Sequence, residues 1–138
     1  MRARRIDPRR YQLDKVASAN VRRGHPWVYR SHVSSAAQAF PDGQWLKLVD
    51  GANEVTGYGI YEKEGLIAIR TLKRGSRAPD PAFVRERISQ ALGKREPLRR
   101  YTDAFRAIHG ENDGLPAVVF DVYGSVGVLQ TYSSGADV

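Results

Sequence analysis

A stretch rich in glycine, proline and basic residues interrupts the chain near its middle, at residues 73–81 (KRGSRAPDP). Glycine and proline favour turns and loops over the interiors of helices and strands, so we interpret this stretch as a linker. It divides the 138 residues into two parts of about 70 residues each. Parts of that size bury thin hydrophobic cores and are expected to lean on each other or on further sequence. We therefore predict two small domains, residues 1–74 and 75–138.

The first part has the pattern of a small β-structure. Residues 44–50, 54–61 and 66–72 are short runs rich in β-branched, aromatic and leucine residues, separated by turn-forming clusters. This spacing predicts an antiparallel meander within a small barrel or half-barrel. Upstream, residues 11–16 are a further strand candidate, and residues 17–23 are predicted to form a short helix.

The second part predicts one helix followed by an antiparallel sheet. Asp80 is a suitable N-cap, Pro81 suits the first helical position, and Gly93 is the candidate C-terminus. The strand candidates that follow are residues 104–109, 117–123 and 125–132. The predicted fold class is therefore α+β, with a small β-barrel followed by a small α/β domain with one helix. Since residues 133–137 resemble the loop and N-cap that introduce a helix, we expect a fragment of a longer protein.

The net charge of +7 is concentrated at the start of the chain. Residues 1–30 contain nine Lys and Arg against two Asp, whereas residues 31–138 contain 13 basic and 13 acidic residues. A one-sided basic excess is typical of a surface that binds a polyanion. The arginines between Arg2 and Arg10 are equally compatible with a disordered arm.

Residues 22–30 (RRGHPWVYR) combine three guanidinium groups, an imidazole and two aromatic rings around a glycine and a proline. Guanidinium groups bind phosphate bidentately, and aromatic faces stack on unpaired bases. A core tryptophan beside a solvated basic turn explains the same residues, and for Trp27 core packing and base stacking both stay open. The neighbouring basic excess favours RNA binding.

Several classes of site are disfavoured by the sequence. It contains no cysteine, so disulfides, thiolate metal sites and cysteine nucleophiles are excluded for these residues. His25, His32 and His109 are too scattered to indicate a metal site. The apolar runs are far shorter than a membrane span of ~20 residues, and no secretory signal begins the chain, so a cytoplasmic location is expected. Gly57-Tyr58-Gly59 is not a dinucleotide-binding loop, because a strand follows where a helix is required.

The turn at residues 110–116 (GENDGLP) is dense in turn formers and in acidic groups. Glu111 and Asp113, with Asp121 and His109, could form an acid–base group, which makes a hydrolase the weakest of the functional hypotheses. Ordinary turn chemistry explains the same residues better.

Two segments together resemble a bacterial family. Residues 22–29 (RRGHPWVY) and 110–117 (GENDGLPA), followed by residues 121–124 (DVYG), are similar to the front part of the S-adenosylmethionine (SAM)-dependent 23S rRNA cytosine-C5 methyltransferases with an N-terminal PUA domain. Residues 59–70 are similar to the second half of that PUA barrel. The turn at residues 62–65 is more acidic than is usual there, and Asn112 stands where the family often has serine. The methyltransferase domain itself is absent from these residues.

The resemblance implies an RNA-recognition part that does not methylate RNA by itself. In the family, a thiolate adds to the cytosine ring, and this chain has no cysteine. It also lacks a glycine-rich loop for an adenosyl cofactor, so SAM belongs to the implied full-length enzyme. The predicted RNA-binding residues are Arg22, Arg23, His25, Trp27, Arg30, Arg70, Lys73 and Arg74.

The implied partner is ribosomal RNA of the 23S type, with no membrane partner, and a homodimer is compatible with the sequence. The turn containing Glu111, Asp113 and Gly114 is predicted to lie near another domain or the substrate. Two other hypotheses stay open: a stand-alone RNA- or ribosome-associated module without enzymatic activity, and a protein-interaction domain with an incidental basic arm. No catalytic residue is assigned.

Overall fold

A computed structural model describes residues 7–137 of the chain. These residues form two compact units, which we call unit 1 (residues 7–78) and unit 2 (residues 79–137). The predicted mixed α+β fold is confirmed, with strands in two sheets. Arg2, Arg4 and Arg5 of the predicted N-terminal arm lie outside the described residues. No helix within residues 7–137 is long and apolar enough to cross a bilayer.

Unit 1 contains a five-stranded sheet with one helix. Its elements, in chain order, are β1 (Arg9–Gln12), α1 (Lys15–Arg23), β2 (Trp27–Tyr29), β3 (Trp45–Val49), β4 (Val55–Tyr61) and β5 (Ile67–Arg74). The order across the sheet is β1-β3-β4-β5-β2, and only β1 pairs parallel to its neighbour. The predicted meander of three antiparallel strands is therefore confirmed as β3, β4 and β5.

The core of unit 1 determines which side chains remain outside. Val28 of β2 is buried and pairs with Ile69 of β5, which is also buried. Because successive strand residues point to opposite faces, the neighbours of Val28 project from the outer face of the sheet. Val21 fixes α1 to the same core.

Both ends of α1 follow from local sequence. The Asp14 carboxylate accepts a hydrogen bond from the N–H of Ala17 at 2.7 Å and so caps the first turn. Gly24 ends the helix in the left-handed region, at φ 94°, which glycine adopts without steric cost. Since α1 begins at Lys15, it includes two residues that the sequence pattern placed in a strand.

Unit 2 packs one helix against a three-stranded antiparallel sheet. Its elements are α2 (Pro81–Arg95), β6 (Ala104–His109), β7 (Val118–Tyr123) and β8 (Val126–Thr131), in the order β6-β7-β8. Ala91 of α2 is fully buried in a small cluster with Ile108 and Leu115.

The helix of unit 2 begins as predicted and ends two residues later. Asp80 caps its first turn as expected, accepting from the N–H of Phe83 at 2.8 Å. The predicted end at Gly93 is wrong, because the helix continues to Arg95, whose side chain is bonded within unit 2. The helix packs on a narrow three-stranded sheet, and the Leu92 side chain remains 44% exposed.

Gly59 of β4 provides a test of the close approach between β4 and β5. A Cβ atom at this position would lie 2.7 Å from the carbonyl oxygen of Arg70 and 2.7 Å from Cγ2 of Ile69. We therefore expect Gly59→Ala to destabilise unit 1 by about 1–3 kcal/mol, the usual cost of overpacking. Urea unfolding followed by tryptophan fluorescence measures this, because both tryptophans lie in unit 1.

Gly51→Ala is the matched control, because a Cβ atom there meets nothing within 4 Å. It is expected to stay within about 0.5 kcal/mol of the parent chain. Equal unfolding free energies for the two variants would contradict the described approach of the strands.

Candidate nucleic-acid interface

The turn between α1 and β2 brings the basic and aromatic residues of the 22–30 segment together. The N–H of Gly24 donates to the carbonyl of Val21, and the N–H of His25 donates to that of Asn20. These bonds reverse the chain directly after Arg22 and Arg23. The Arg74 guanidinium packs on the turn, because a Cβ at Gly24 would lie 3.1 Å from its Nη1. We call this region the α1–β2 turn.

Three rings form an aromatic cluster beside this turn. His25, Trp27 and Tyr29 contact one another edge to face, with centroid distances of 6.1 Å (His25–Trp27), 5.8 Å (His25–Tyr29) and 6.4 Å (Trp27–Tyr29). Trp27 is half-buried on the outer face of the sheet, so the structure decides against a place in the core for this residue. Tyr29 is 41% exposed and was not among the predicted site residues.

The His25 ring is held in place by backbone groups. Its Nδ1 lies 2.9 Å from the carbonyl oxygen of Trp27 and 3.2 Å from the Trp27 nitrogen. This fixes the plane of the imidazole beside the indole. The three rings are thereby preorganised rather than free to rotate individually.

Arg22 shares its charge with acidic groups of the β3–β4 turn. Its guanidinium donates a hydrogen bond to the carboxylate of Asp50 and lies 3.8 Å from that of Glu54. The hydrogen bond from Arg22 and the N–H of Glu54 lower the pKa of Asp50, against a smaller opposing effect of burial. A phosphate that binds Arg22 must therefore compete with Asp50.

Arg30 has a structural role in unit 1. Its guanidinium donates to carbonyl oxygens of the β4–β5 turn, including Gly65 at 2.7 Å and Glu64 at 3.1 Å. It also lies over the ring of Tyr61, at 5.9 Å from the centroid. Arg30 therefore holds this turn in shape, and its predicted phosphate contact stays a prediction.

Arg70, like Arg30, is bonded to other groups of unit 1. Its Nε donates to the Glu62 carboxylate at 3.0 Å, and the two side chains are only 17% and 11% exposed. Across the sheet it stands opposite Trp27. Arg70 thus supports the outer face beneath the indole, and its RNA contact also stays a prediction.

The remaining basic residues differ in availability. Arg23 is exposed, and its side chain has no ion pair or hydrogen bond to any part of residues 7–137. Arg74 is exposed and donates to the Arg22 carbonyl at 3.3 Å. Lys73 is half-buried and stands opposite Tyr58 in the sheet. Arg23 and Arg74 therefore offer the most available positive charge at the α1–β2 turn.

The outer face of the sheet extends beyond the residues that the sequence indicated. Trp45 and Lys47 of β3 stand opposite Ile60 and Tyr58 of β4, which places them on the face that carries Arg70 and Lys73. The signal for these residues was the alternation in β3, where Trp45 and Lys47 alternate with the buried Leu46 and Leu48. That pattern shows a shared face but not which other strands contribute to it.

The acidic turn of unit 2 is fixed from inside. Asp113 is buried and accepts hydrogen bonds from two Arg95 nitrogens, both at 2.8 Å, and from the N–H of His109 at 2.8 Å. Lys94 adds an ion pair at 3.3 Å. Gly114 follows in the left-handed region at φ 68°. Asp113 therefore shapes the turn, while the predicted interdomain or substrate-proximal role of Glu111, Asp113 and Gly114 stays a prediction.

The other candidate acid–base and metal groups have local partners. Asp121 forms a bidentate pair with Arg106, at 2.8 and 3.0 Å. His32 Nδ1 lies 2.7 Å from the Asp14 carboxylate that caps α1. Within residues 7–137, no group of three or more His, Asp or Glu side chains is placed to hold a metal ion.

The pKa of Asp113 predicts how acid affects unit 2. Burial raises this pKa. The hydrogen bonds from Arg95 and His109 and the contact with Lys94 together lower it by more, so the pKa of Asp113 lies below its ordinary value. The carboxylate therefore stabilises the fold at neutral pH, and this contribution is lost as the pH falls below about 4. At pH 7, Asp113→Asn should reduce the stability of unit 2 by about 3 kcal/mol.

Hydrogen exchange of the β6 and β7 amides measures this stability, and the difference between parent and variant should shrink towards pH 3. Asp103→Asn is the control, because the Asp103 side chain is exposed. This substitution should leave the protection of the β6 and β7 amides unchanged. Equal protection of the parent and Asp113→Asn at pH 7 would refute the role of the buried pair.

The chain is similar to known proteins in both sequence and fold. Residues 12–74 match the family model of a PUA-like domain. A ribosomal RNA large subunit methyltransferase of Deinococcus radiodurans is 31% identical over 132 residues, covering 91% of this chain and 32% of that protein. A ribosomal RNA large subunit methyltransferase I of Alteromonas mediterranea is 34% identical over 129 residues, covering 91% and 32%.

Solved structures share the fold at low sequence identity. A candidate SAM-dependent methyltransferase from Streptococcus mutans has a TM-score of 0.80 at 16% identity, covering 94% of this chain and 34% of that one. A candidate methyltransferase complexed with SAH gives a TM-score of 0.81, also at 16% identity, covering 94% and 34%. The chain thus spans about a third of the length of the relatives it matches. Residues 12–74 thus match a PUA-like domain, and most of the chain is similar to about a third of the length of proteins named ribosomal RNA large subunit methyltransferases.

Proposed function

We propose that this chain is the RNA-recognising part of a SAM-dependent ribosomal RNA methyltransferase. The observation that carries the proposal is the α1–β2 turn of the PUA-like domain. There, the available guanidinium groups of Arg23 and Arg74 stand beside a preorganised aromatic cluster. Phosphate contacts provide affinity, and ring faces accept bases that have left a helix.

Each residue of this surface has a separate role in the proposal. Arg23 and Arg74 bind phosphates directly, because neither is paired with a carboxylate in unit 1. Trp27 and Tyr29 stack against a base, with the His25 ring packed edge to face against the indole. These contacts are sequence-tolerant and depend on the shape of the folded RNA.

The other predicted residues contribute to RNA binding in two ways. Arg22 must first leave its ion pair, whereas Arg30 and Arg70 support the surface indirectly. Arg22 reaches phosphate only after leaving Asp50, so its contribution is the difference between two ion pairs. Arg30 and Arg70 position the β4–β5 turn and the outer face, which carries Lys73 as a further phosphate contact.

Methyl transfer is assigned to the parent protein rather than to these residues. Gly57 and Gly59, which have the spacing of a short glycine motif, lie inside β4 with backbone atoms 2.6 and 2.7 Å from their hypothetical Cβ positions. They therefore permit close packing of strands and do not form a cofactor loop. The chain contains no cysteine for a cytosine-C5 reaction, and the proposal places the SAM site in the parent protein.

The proposed substrate is 23S ribosomal RNA, modified at carbon five of a cytosine, and the proposed location is the cytoplasm. The names of the relatives support the ribosomal large subunit as target. The cytosine specificity rests on the resemblance of residues 22–29 and 110–117 to the C5-methylating family.

A salt titration of binding to a mixed-sequence single-stranded RNA tests the surface. Contacts with about four phosphates give a log–log slope of roughly −3, and replacing Arg22 and Arg23 together by alanine should flatten it by about one to two units. Of the single variants, Arg23→Gln should weaken binding more than Arg22→Gln, because Asp50 already neutralises part of the Arg22 charge. Fluorescence anisotropy at several salt concentrations measures both quantities.

Asp50→Asn should change the RNA affinity in the opposite direction to the arginine variants. It tests whether Asp50 competes with phosphate for Arg22. The asparagine keeps an oxygen for the N–H groups of Ala52 and Glu54, but it releases Arg22 for phosphate. We expect tighter binding and a slope steeper by up to about 0.7.

Arg99→Gln controls for net charge, because it removes a 66% exposed arginine from unit 2. If it weakens binding as much as Arg23→Gln, or if the Arg22 and Arg23 double variant binds like the parent, the α1–β2 turn is not the RNA surface.

A further inference from the structure

Basic side chains form a line across the outer face of the unit 1 sheet. Cross-strand pairing places Arg10 of β1 opposite Lys47 of β3. Lys47 in turn stands opposite Tyr58 of β4, and Tyr58 stands opposite Lys73 of β5. Residues that are paired across neighbouring strands project from the same face of a sheet. We call the three basic members of this line, Arg10, Lys47 and Lys73, the cationic row.

The core of unit 1 determines that the row faces outward. Tyr11, which follows Arg10, belongs to the core, and so do Leu46 and Leu48 on either side of Lys47. Since successive strand residues point to opposite faces, Arg10 and Lys47 are directed away from the core.

Arg10 and Lys47 are an unfavourable pair in the free chain. Like charges at directly opposed positions of a sheet repel each other. The Arg10 guanidinium donates only to uncharged groups, the side-chain oxygens of Asn53 at 2.7 Å and Gln12 at 3.3 Å. Lys47 forms no hydrogen bond or ion pair with any group of residues 7–137. An external anion would therefore relieve a repulsion that the described part of the chain leaves uncompensated.

Acidic side chains of the neighbouring turns contact other arginines. Asp50 and Glu54, in the β3–β4 turn, both contact Arg22. Glu62, directly after β4, pairs with Arg70. The positive charge of the two paired cations is thus available on the outer face.

Trp45 places an aromatic ring beside the cationic row. It lies two positions before Lys47 in β3, on the same face, and it is partly buried. Trp45 stands opposite Ile60, Ile60 stands opposite Arg70, and Arg70 stands opposite Trp27. This second line across the face therefore has a tryptophan at each end, and the two backbone positions are about 14 Å apart across three strand spacings.

We propose that the cationic row and Trp45 form a second RNA-contact surface, which binds the strand that leaves the α1–β2 turn. Lys73, Lys47 and Arg10 bind successive parts of its phosphate backbone, and Trp45 stacks on a base. The order β2-β5-β4-β3-β1 makes the path across the sheet continuous from the α1–β2 turn to β1. The inference rests on the proposed function, because it extends the same RNA beyond that turn.

The chemistry of the face favours a nucleic-acid strand over an acidic protein segment. From β2 to β1 the face is about 19 Å long, which suits a strand of several nucleotides. A single-stranded nucleic acid presents both phosphates and exposed base faces, so it uses the cations and the indole together. An acidic segment would use the cations but would leave the Trp45 ring without a matching group.

RNAs of two lengths test the second surface separately from the first. An oligonucleotide of about 5 nucleotides is accommodated by the α1–β2 turn, whereas one of about 15 continues across the sheet. Replacing Arg10 and Lys47 together by glutamine should flatten the log–log salt slope by about 1.4 on the longer RNA, since each lost phosphate contact removes about 0.7. The slope on the shorter RNA should stay unchanged. Fluorescence anisotropy across a salt series measures both slopes.

Lys15→Gln is the matched control for the loss of charge. Lys15 is exposed at the start of α1, at the opposite end of the helix from the α1–β2 turn, and it lies outside the sheet. This variant should bind both RNAs like the parent. An equal loss of slope on the longer RNA in Lys15→Gln and in Lys47→Gln would overturn the proposal, because net charge alone would explain it.

Urea unfolding distinguishes a binding role of Lys47 from a structural one. Because removal of one member of a like-charged pair relieves repulsion, Lys47→Gln should unfold at a urea concentration no lower than that of the parent. A lower midpoint together with parent-like RNA binding would make Lys47 a structural residue and overturn its assignment to the surface.

The fluorescence of Trp45 tests the stacking contact. The chain has two tryptophans, so Trp27→Phe leaves Trp45 as the only one. In this variant, the longer RNA should quench the tryptophan emission at saturation, and the shorter RNA should not. Unchanged emission with saturating longer RNA would overturn the contact between Trp45 and a base.

The outcomes separate this inference from the proposed function. If Arg23→Gln weakens binding while the Arg10 and Lys47 double variant binds the longer RNA like the parent, the cationic row is not an RNA surface and the α1–β2 turn is supported alone. If neither variant weakens binding, both proposals fail. If polyglutamate binds as tightly as the longer RNA and is lost in the double variant, the row binds acidic protein segments and its assignment to RNA is wrong.

Discussion

The burial of Val28 determines the chemistry of the proposed RNA surface. Because Val28 packs against Ile69 in the core of unit 1, strand alternation forces Trp27 and Tyr29 to the outer face. A shift of one residue in this register would exchange the two faces, placing the rings inside and the valine outside. The left-handed Gly24 then sets where the basic end of α1 meets these rings. Hydrophobic packing thus positions groups that do not themselves belong to the core.

Net charge overstates the cationic surface that unit 1 offers to a polyanion. Arg22 and Arg70 each have a carboxylate partner, and Arg30 is bonded to backbone carbonyls. These arginines contribute charge to the sequence but stabilise turns and strands in the fold. Arg23 and Arg74 are different, because their guanidinium groups meet no carboxylate within residues 7–137. Such sorting provides a shaped basic surface rather than a diffuse one, since the paired groups fix the geometry around the available ones.

Local sequence patterns predicted most helices and strands, but they could not predict contacts between residues that are distant in the sequence. Most strands of the two sheets could be predicted, because alternation and turn formers are encoded within a few residues. The three residues of β2 were not predicted as a strand, because a segment that short shows no alternation. The hydrogen bonds of Arg30 to residues 62–67 could not be predicted, because no local pattern relates residues more than 30 positions apart. The end of α2 was misplaced for the same reason: Gly93 is a local stop signal, but Arg95 is held by Asp113. The grouping of aromatic rings could be predicted from the sequence, because its members lie within five consecutive residues.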